Sequence, residues 1–210
     1  MRVRDFFARR CKEEDGMKKK GRGSRKRQKE KRTLRQKISS VLLWIFEIAV
    51  VVLFAFVLVY FFGQTRTNVG QSMELTLADG DRVLLNTLSY RIGSPERNDI
   101  IAFKPNGSST SHTHIKRVIG LPGETIQIKD GMIYINGTVY LEKTDYPLMN
   151  NSGLADEPIT LGVKEYFVLG DNRNDSEDSR YADIGLVNFD YIEGKVWFRI
   201  SPFDSFGLID

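Results

Sequence analysis

Three stretches of the chain hold residue types that can do chemistry. GQSMELTLADGDRV, residues 70–83, sets Ser72 in a glycine-flanked loop ten residues after a long apolar run ends at Phe62. HIKRVIGLPGETI, residues 114–126, carries Lys116 among residues suited to a buried strand. LGDNRNDSEDSRYADIGLV, residues 169–187, gathers Asp171, Ser176, Asp178 and Arg180. A serine hydroxyl is a weak nucleophile until a neighbouring base takes its proton. A lysine can be that base only when burial disfavours its charged form and lowers its pKa. Each stretch alone also has a plain reading. Ser72 can be an ordinary loop hydroxyl, Lys116 one half of an exposed strand pair, and Asp171 a turn residue.

The elements that must position these residues follow from charge and hydropathy. The net charge of +4 conceals a sorted chain: residues 1–37 hold 17 Lys or Arg against 5 Asp or Glu, leaving 14 against 22 in the remainder. That split excludes a uniformly basic nucleic-acid binder. The sorter is ISSVLLWIFEIAVVVLFAFVLVYFF, residues 38–62, with the single charge Glu47 from Val41 onward. It is long enough to cross a hydrocarbon core of ~30 Å as a helix. Trp44 and Tyr60 fall near its two ends, where interfacial aromatics belong, and the basic flank places residues 1–37 in the cytoplasm. A cleaved secretory signal would need a small-x-small site, which FFGQTRTNVG does not offer. The basic tail reads as a solvated, disordered arm attracted to anionic lipid head groups, without the aromatic platform that nucleic-acid binding would use.

Residues 63–210 read as one β domain. Short runs rich in β-branched and aromatic residues are separated by turn dipeptides. Asp130-Gly131 and Asn136-Gly137 are the strongest hairpin signals, inside TIQIKDGMIYINGTVY. The lone cysteine, Cys11, lies in the tail, so the β domain is expected to fold without disulfides. His112 and His114 have x-H-x-H spacing but lack further ligands for zinc, and read as solvated loop residues. No metal or cofactor is expected.

Taken in order behind one span, the three stretches resemble the sequence boxes of bacterial type I signal peptidases, in the Gram-positive-like single-span branch. Ser72-Met73 fits the nucleophile box, KRVIGLPGE at 116–124 the lysine box, and GDNR-x-x-S-x-DSR the last box. The resemblance covers about residues 40–202. It implies a mainly β fold: an N-terminal transmembrane helix, then an extracytoplasmic domain of coiled antiparallel β-sheets with a hairpin-rich non-catalytic part at about 124–165. It implies a membrane-bound serine endopeptidase that cleaves signal peptides from exported preproteins through a Ser-Lys dyad and an acyl-enzyme. Ser72 would be the nucleophile and Lys116 the general base. Ser176 would orient the lysine amine, and Asp178 and Arg180 would form a supporting ion pair. An extended substrate would pair with a strand edge, with Met73, Leu75, Ile101 and Phe103 as candidate wall residues. The implied partners are preproteins and membrane lipids, with no nucleic acid. Three positions depart from the family pattern. Gly70 offers no side-chain oxyanion donor, Leu75 stands where proline is usual and is expected to loosen the loop, and Asn98 replaces a common glycine.

Overall fold

The computed structural model describes residues 35–108 and 111–209; the basic tail up to residue 34, including Cys11, lies outside them. The chain divides into two compact units, residues 1–56 and 57–210. In the first, the described residues belong to helix α1, Arg35–Phe62, which continues into the second unit. Its 28 residues extend about 42 Å at ~1.5 Å per residue, more than a hydrocarbon core requires. Its apolar side chains stand exposed from Ile38 to Tyr60, as a helix hydrophobic on every side does when no protein covers it.

The second unit holds two antiparallel sheets. In the larger, β1 (Gln64–Thr67) pairs with β2 (Arg82–Asn86), and β2 with the ten-residue β11 (Ile192–Ser201). The sheet continues through β3 (Ile100–Phe103), β4 (His114–Gly120), β9 (Glu165–Leu169) and β10 (Val187–Asn188). A last short strand, β12 (Gly207–Leu208), adds to β11. The register of β11 slips against both neighbours, and that of β4 slips between Val118 and Gly120. Each slip is an extra residue that bends its strand and strengthens the local twist, so this sheet coils instead of lying flat.

The smaller sheet runs β7 (Thr138–Val139), β6 (Met132–Ile135), β5 (Thr125–Lys129) and β8 (Ile159–Thr160). Its two tight turns are those marked in the sequence. Asp130 and Gly131 have φ of 54° and 76°, and Asn136 and Gly137 have 51° and 79°. Positive φ at both central residues matches the right-handed twist of the flanking strands. Alternation then sends Ile126, Ile128 and Ile133 inward, where they pack with Ile119, Phe167 and Leu169 of the larger sheet. That shared cluster ties the two sheets together.

Strand β4 carries the decisive pattern. Its residues from Ile115 to Gly120 are all buried, so the adjacent cations Lys116 and Arg117 are both inside the protein and point to opposite faces. Arg117 is neutralised there. Its Nε and Nη2 each donate to the fully buried Asp171 carboxylate at 2.8 Å, and its Nη1 donates to the Asn98 carbonyl at 2.9 Å. Asn98 takes the left-handed conformation, φ 74°, so the turn keeps the geometry that a glycine would also supply.

Removing one member of a buried pair strands the other charge. Asp171→Asn or Arg117→Met is therefore expected to destabilise the protein by about 3–5 kcal/mol, and replacing both residues with apolar ones by less than the sum. Thermal unfolding of the full chain in detergent checks both.

Candidate active site

The loop that holds Ser72 is fastened from below. Met73 and Leu77 have no exposed surface and join Val83, Leu85 and Ile100 in one core cluster. Each such side chain contributes about 1.5–3 kcal/mol by leaving water. The Met73 carbonyl accepts the N–H groups of Thr76 and Leu77, at 2.8 and 2.6 Å. The buried Asn68 amide donates to the carbonyls of Leu77 and Ala78, closing the loop at its base. The loop is thus held without a proline at 75, where Leu75 is 60% exposed. Gly70 turns the chain into the loop with φ 85°, the left-handed region that glycine enters at no steric cost. Its N–H is taken by the Asp79 carboxylate at 2.8 Å.

The third stretch grips the same loop from the side. The Asn172 N–H donates to the Ser72 carbonyl at 3.0 Å, and its side-chain amide donates to the Gln71 carbonyl at 3.2 Å. Asp171, already paired with Arg117, also accepts from Thr76 Oγ1 at 2.5 Å. Gly170 is required by proximity: a Cβ there would run into Ser176 Oγ and come within 2.5 Å of the Ser72 carbonyl oxygen. Asp178 Oδ2 receives the Gly170 N–H, and both Asp178 oxygens receive the Arg180 guanidinium, at 2.8 and 2.9 Å. Arg180 also donates to the carbonyls of Arg173 and Asn151. This buried pair folds the loop back on itself behind Ser176.

Ser72, Lys116 and Ser176 line one cavity of about 550 Å³, together with Gly70, His114 and Tyr181. Lys116 sits opposite Ile101 in the strand register and is 3% exposed. It forms no ion pair among the described residues. Burial drives its pKa down from 10.5 to about 8, against the opposing pull of Asp178 and Glu177. Ser176 Oγ is buried and has no hydrogen-bond partner among the described residues. The Ser72 N–H likewise donates to nothing among them.

Other expected residues fall elsewhere. Asp178 and Arg180 stand behind the cavity wall. Met73, Ile101 and Phe103 are closed into the core, and neither they nor Leu75 line this cavity. His114 differs from its reading as a solvated loop residue. It opens strand β4, lies half-buried on the cavity wall with its ring 6.0 Å from that of Phe103, and has its pKa lowered by burial and by Lys116. The sequence reading missed the Asp171–Arg117 pair and the two Asn172 bonds. They join residues 54 and about 100 positions apart, and only the alternation that turned Arg117 away from Lys116 hinted at them.

The model of the family described as signal peptidase, peptidase S26, matches residues 41–201. The chain is 35% identical to signal peptidase IB of Staphylococcus aureus (strain COL) over 187 residues, 79% of this chain and 92% of that protein. It is also 35% identical to signal peptidase I T of Bacillus subtilis (strain 168) over 181 residues, 83% of this chain and 92% of the other. A crystal structure of a signal peptidase I from Enterococcus faecalis V583 aligns at 35% identity with a TM-score of 0.40, covering 49% of this chain and 96% of that one. The chain belongs to the signal peptidase family, peptidase S26: it is a serine peptidase of the signal peptidase I kind, bearing among the described residues one N-terminal helix long and apolar enough to cross a membrane.

The tight seat of Gly170 gives a direct test. Gly170→Ala must push apart Ser176 and the Ser72 backbone, so it is expected to lower peptidase turnover at least about tenfold and to cost about 1–3 kcal/mol of stability. Steady-state cleavage assays and thermal melts of the same preparation measure the two effects.

Proposed function

We propose that the chain cleaves signal peptides from exported preproteins with a Ser72–Lys116 dyad, through an acyl-enzyme, at the outer face of the cytoplasmic membrane. The observation that carries the reading is that Ser72 lines one cavity with a buried lysine whose pKa lies near 8. At that pKa about a tenth of the molecules hold a neutral amine at pH 7, which is enough for a base that regenerates each cycle.

In the proposed sequence, neutral Lys116 takes the Ser72 proton while Oγ attacks the scissile carbonyl. The carbonyl π electrons move to oxygen, and the Ser72 N–H donates to the oxyanion that forms. Collapse of the tetrahedral intermediate breaks the C–N bond, and the lysine ammonium gives its proton to the leaving amine. A water then attacks the ester, losing its proton to Lys116, which returns the proton to Ser72 as the acyl group departs. Ser176 Oγ orients the amine between these transfers. Asp178 and Arg180 hold Ser176 in place without touching the reacting atoms. The basic tail and apolar helix support a single anchor with its N-terminus in the cytoplasm. The ten-residue step from Phe62 to Ser72 suits substrates whose own apolar segment sits in the same membrane.

Ser72→Ala and Lys116→Ala are each expected to lower processing of a preprotein in detergent or vesicles by about 10³-fold or more. Near-normal turnover by either variant overturns the dyad. In the parent enzyme the deprotonated lysine is the active form, so kcat/KM should rise with pH up to about 8 and level off above it. A profile still climbing past pH 10 contradicts the assignment.

A further inference from the structure

The cavity that holds Lys116 is also lined by Asp175, Glu177 and Asp183. All three side chains are exposed, and none forms an ion pair with the described residues. Asp175 and Glu177 flank Ser176 directly, at positions that the pattern GDNR-x-x-S-x-DSR leaves open. Ser176 is 9% exposed, and its Oγ has no hydrogen-bond partner among the described residues. Asp175 and Glu177 thus place negative charge on both sides of Ser176 at the cavity.

The three carboxylates outnumber the positive charge that faces them. Lys116, protonated in about nine tenths of the molecules at pH 7, opposes them with at most one charge. His114 has its pKa lowered by burial and by Lys116, which favours its neutral form. A concave wall of one sign focuses its field on whatever enters.

We infer that Asp175, Glu177 and Asp183 form a specificity rim that favours substrates with a lysine or arginine close to the scissile bond and disfavours those with an acidic residue there. The inference rests on the proposed peptidase site. A lysine or arginine stem can lie along the Tyr181 side of the cavity while its charged head stays hydrated. The carboxylates would not take part in bond making. Glu177 also raises the Lys116 pKa, but that effect is common to every substrate and divides out of a ratio between two of them.

The test uses the full chain in detergent and peptides spanning a signal-peptide cleavage site, with Lys, Gln or Glu placed in turn at P2, P1′, P2′ and P3′. At one or more of these positions, kcat/KM for the Lys peptide should exceed that for the Glu peptide by about tenfold at low ionic strength. The ratio should fall to about twofold or less in ~0.5 M salt, where the Debye length shrinks below 5 Å or so. It should fall equally in the Asp175→Asn, Glu177→Gln, Asp183→Asn triple variant. Equal cleavage of Lys, Gln and Glu peptides by the parent enzyme at every position overturns the rim. So does a preference that survives both salt and the triple variant. Cleavage of the Gln peptides by Ser72→Ala would instead overturn the underlying dyad and leave the charge preference to be judged on its own ratio.

Discussion

Two cations stand side by side on a buried strand, and the site depends on how differently they are treated. Arg117 faces a carboxylate made for it, with both Asp171 oxygens engaged. Lys116, one residue earlier and on the other face, is buried at the wall of the cavity and has no ion pair among the described residues. A guanidinium cannot shed its proton at any relevant pH, so it must be paired. An ammonium can, and desolvation without pairing lowers its pKa. Strand alternation does the sorting with no further device.

The same short loop serves both faces. Asp171 neutralises Arg117 and holds Thr76, its neighbour Asn172 holds the carbonyls of Gln71 and Ser72, and four residues beyond Asn172 the cavity is lined by Ser176 beside Lys116. The serine loop is thus not positioned by local propensity. It is clamped between a core that takes Met73 and Leu77 and a loop about a hundred residues away. The Asp178–Arg180 pair keeps that loop compact, because its carboxylate receives the Gly170 N–H and the guanidinium spans to the carbonyls of Arg173 and Asn151. Breaking the clamp would move the serine without touching either reacting group.

Much of this was legible in the sequence. The apolar run at 38–62, the Asp-Gly and Asn-Gly turns and the β-branched runs marked the helix, the smaller sheet and the strands of the larger one, because each is a local signal. Membership of the signal peptidase family was legible from the boxes at 72–73, 116–124 and 170–180. What was not legible was who pairs with whom across the chain. Asp171 read as a turn residue, yet it is fully buried against Arg117. Met73, Ile101 and Phe103 read as candidate wall residues, yet they are core in the described structure. Burial of a short apolar residue next to a site is set by packing from both sheets, which no local window contains. His114 shows the converse: its polarity suggested a loop, while its place at the start of β4 put it on the cavity wall.

The central claim is that burial without pairing prepares Lys116 as a base. Titration of its ammonium by NMR in isotope-labelled lysine protein, assigned by comparison with Lys116→Arg, measures this without any substrate. The account predicts one lysine titrating near pH 8, well below the ordinary 10.5 of the others. A Lys116 resonance that titrates with the remaining lysines near 10.5 would contradict it.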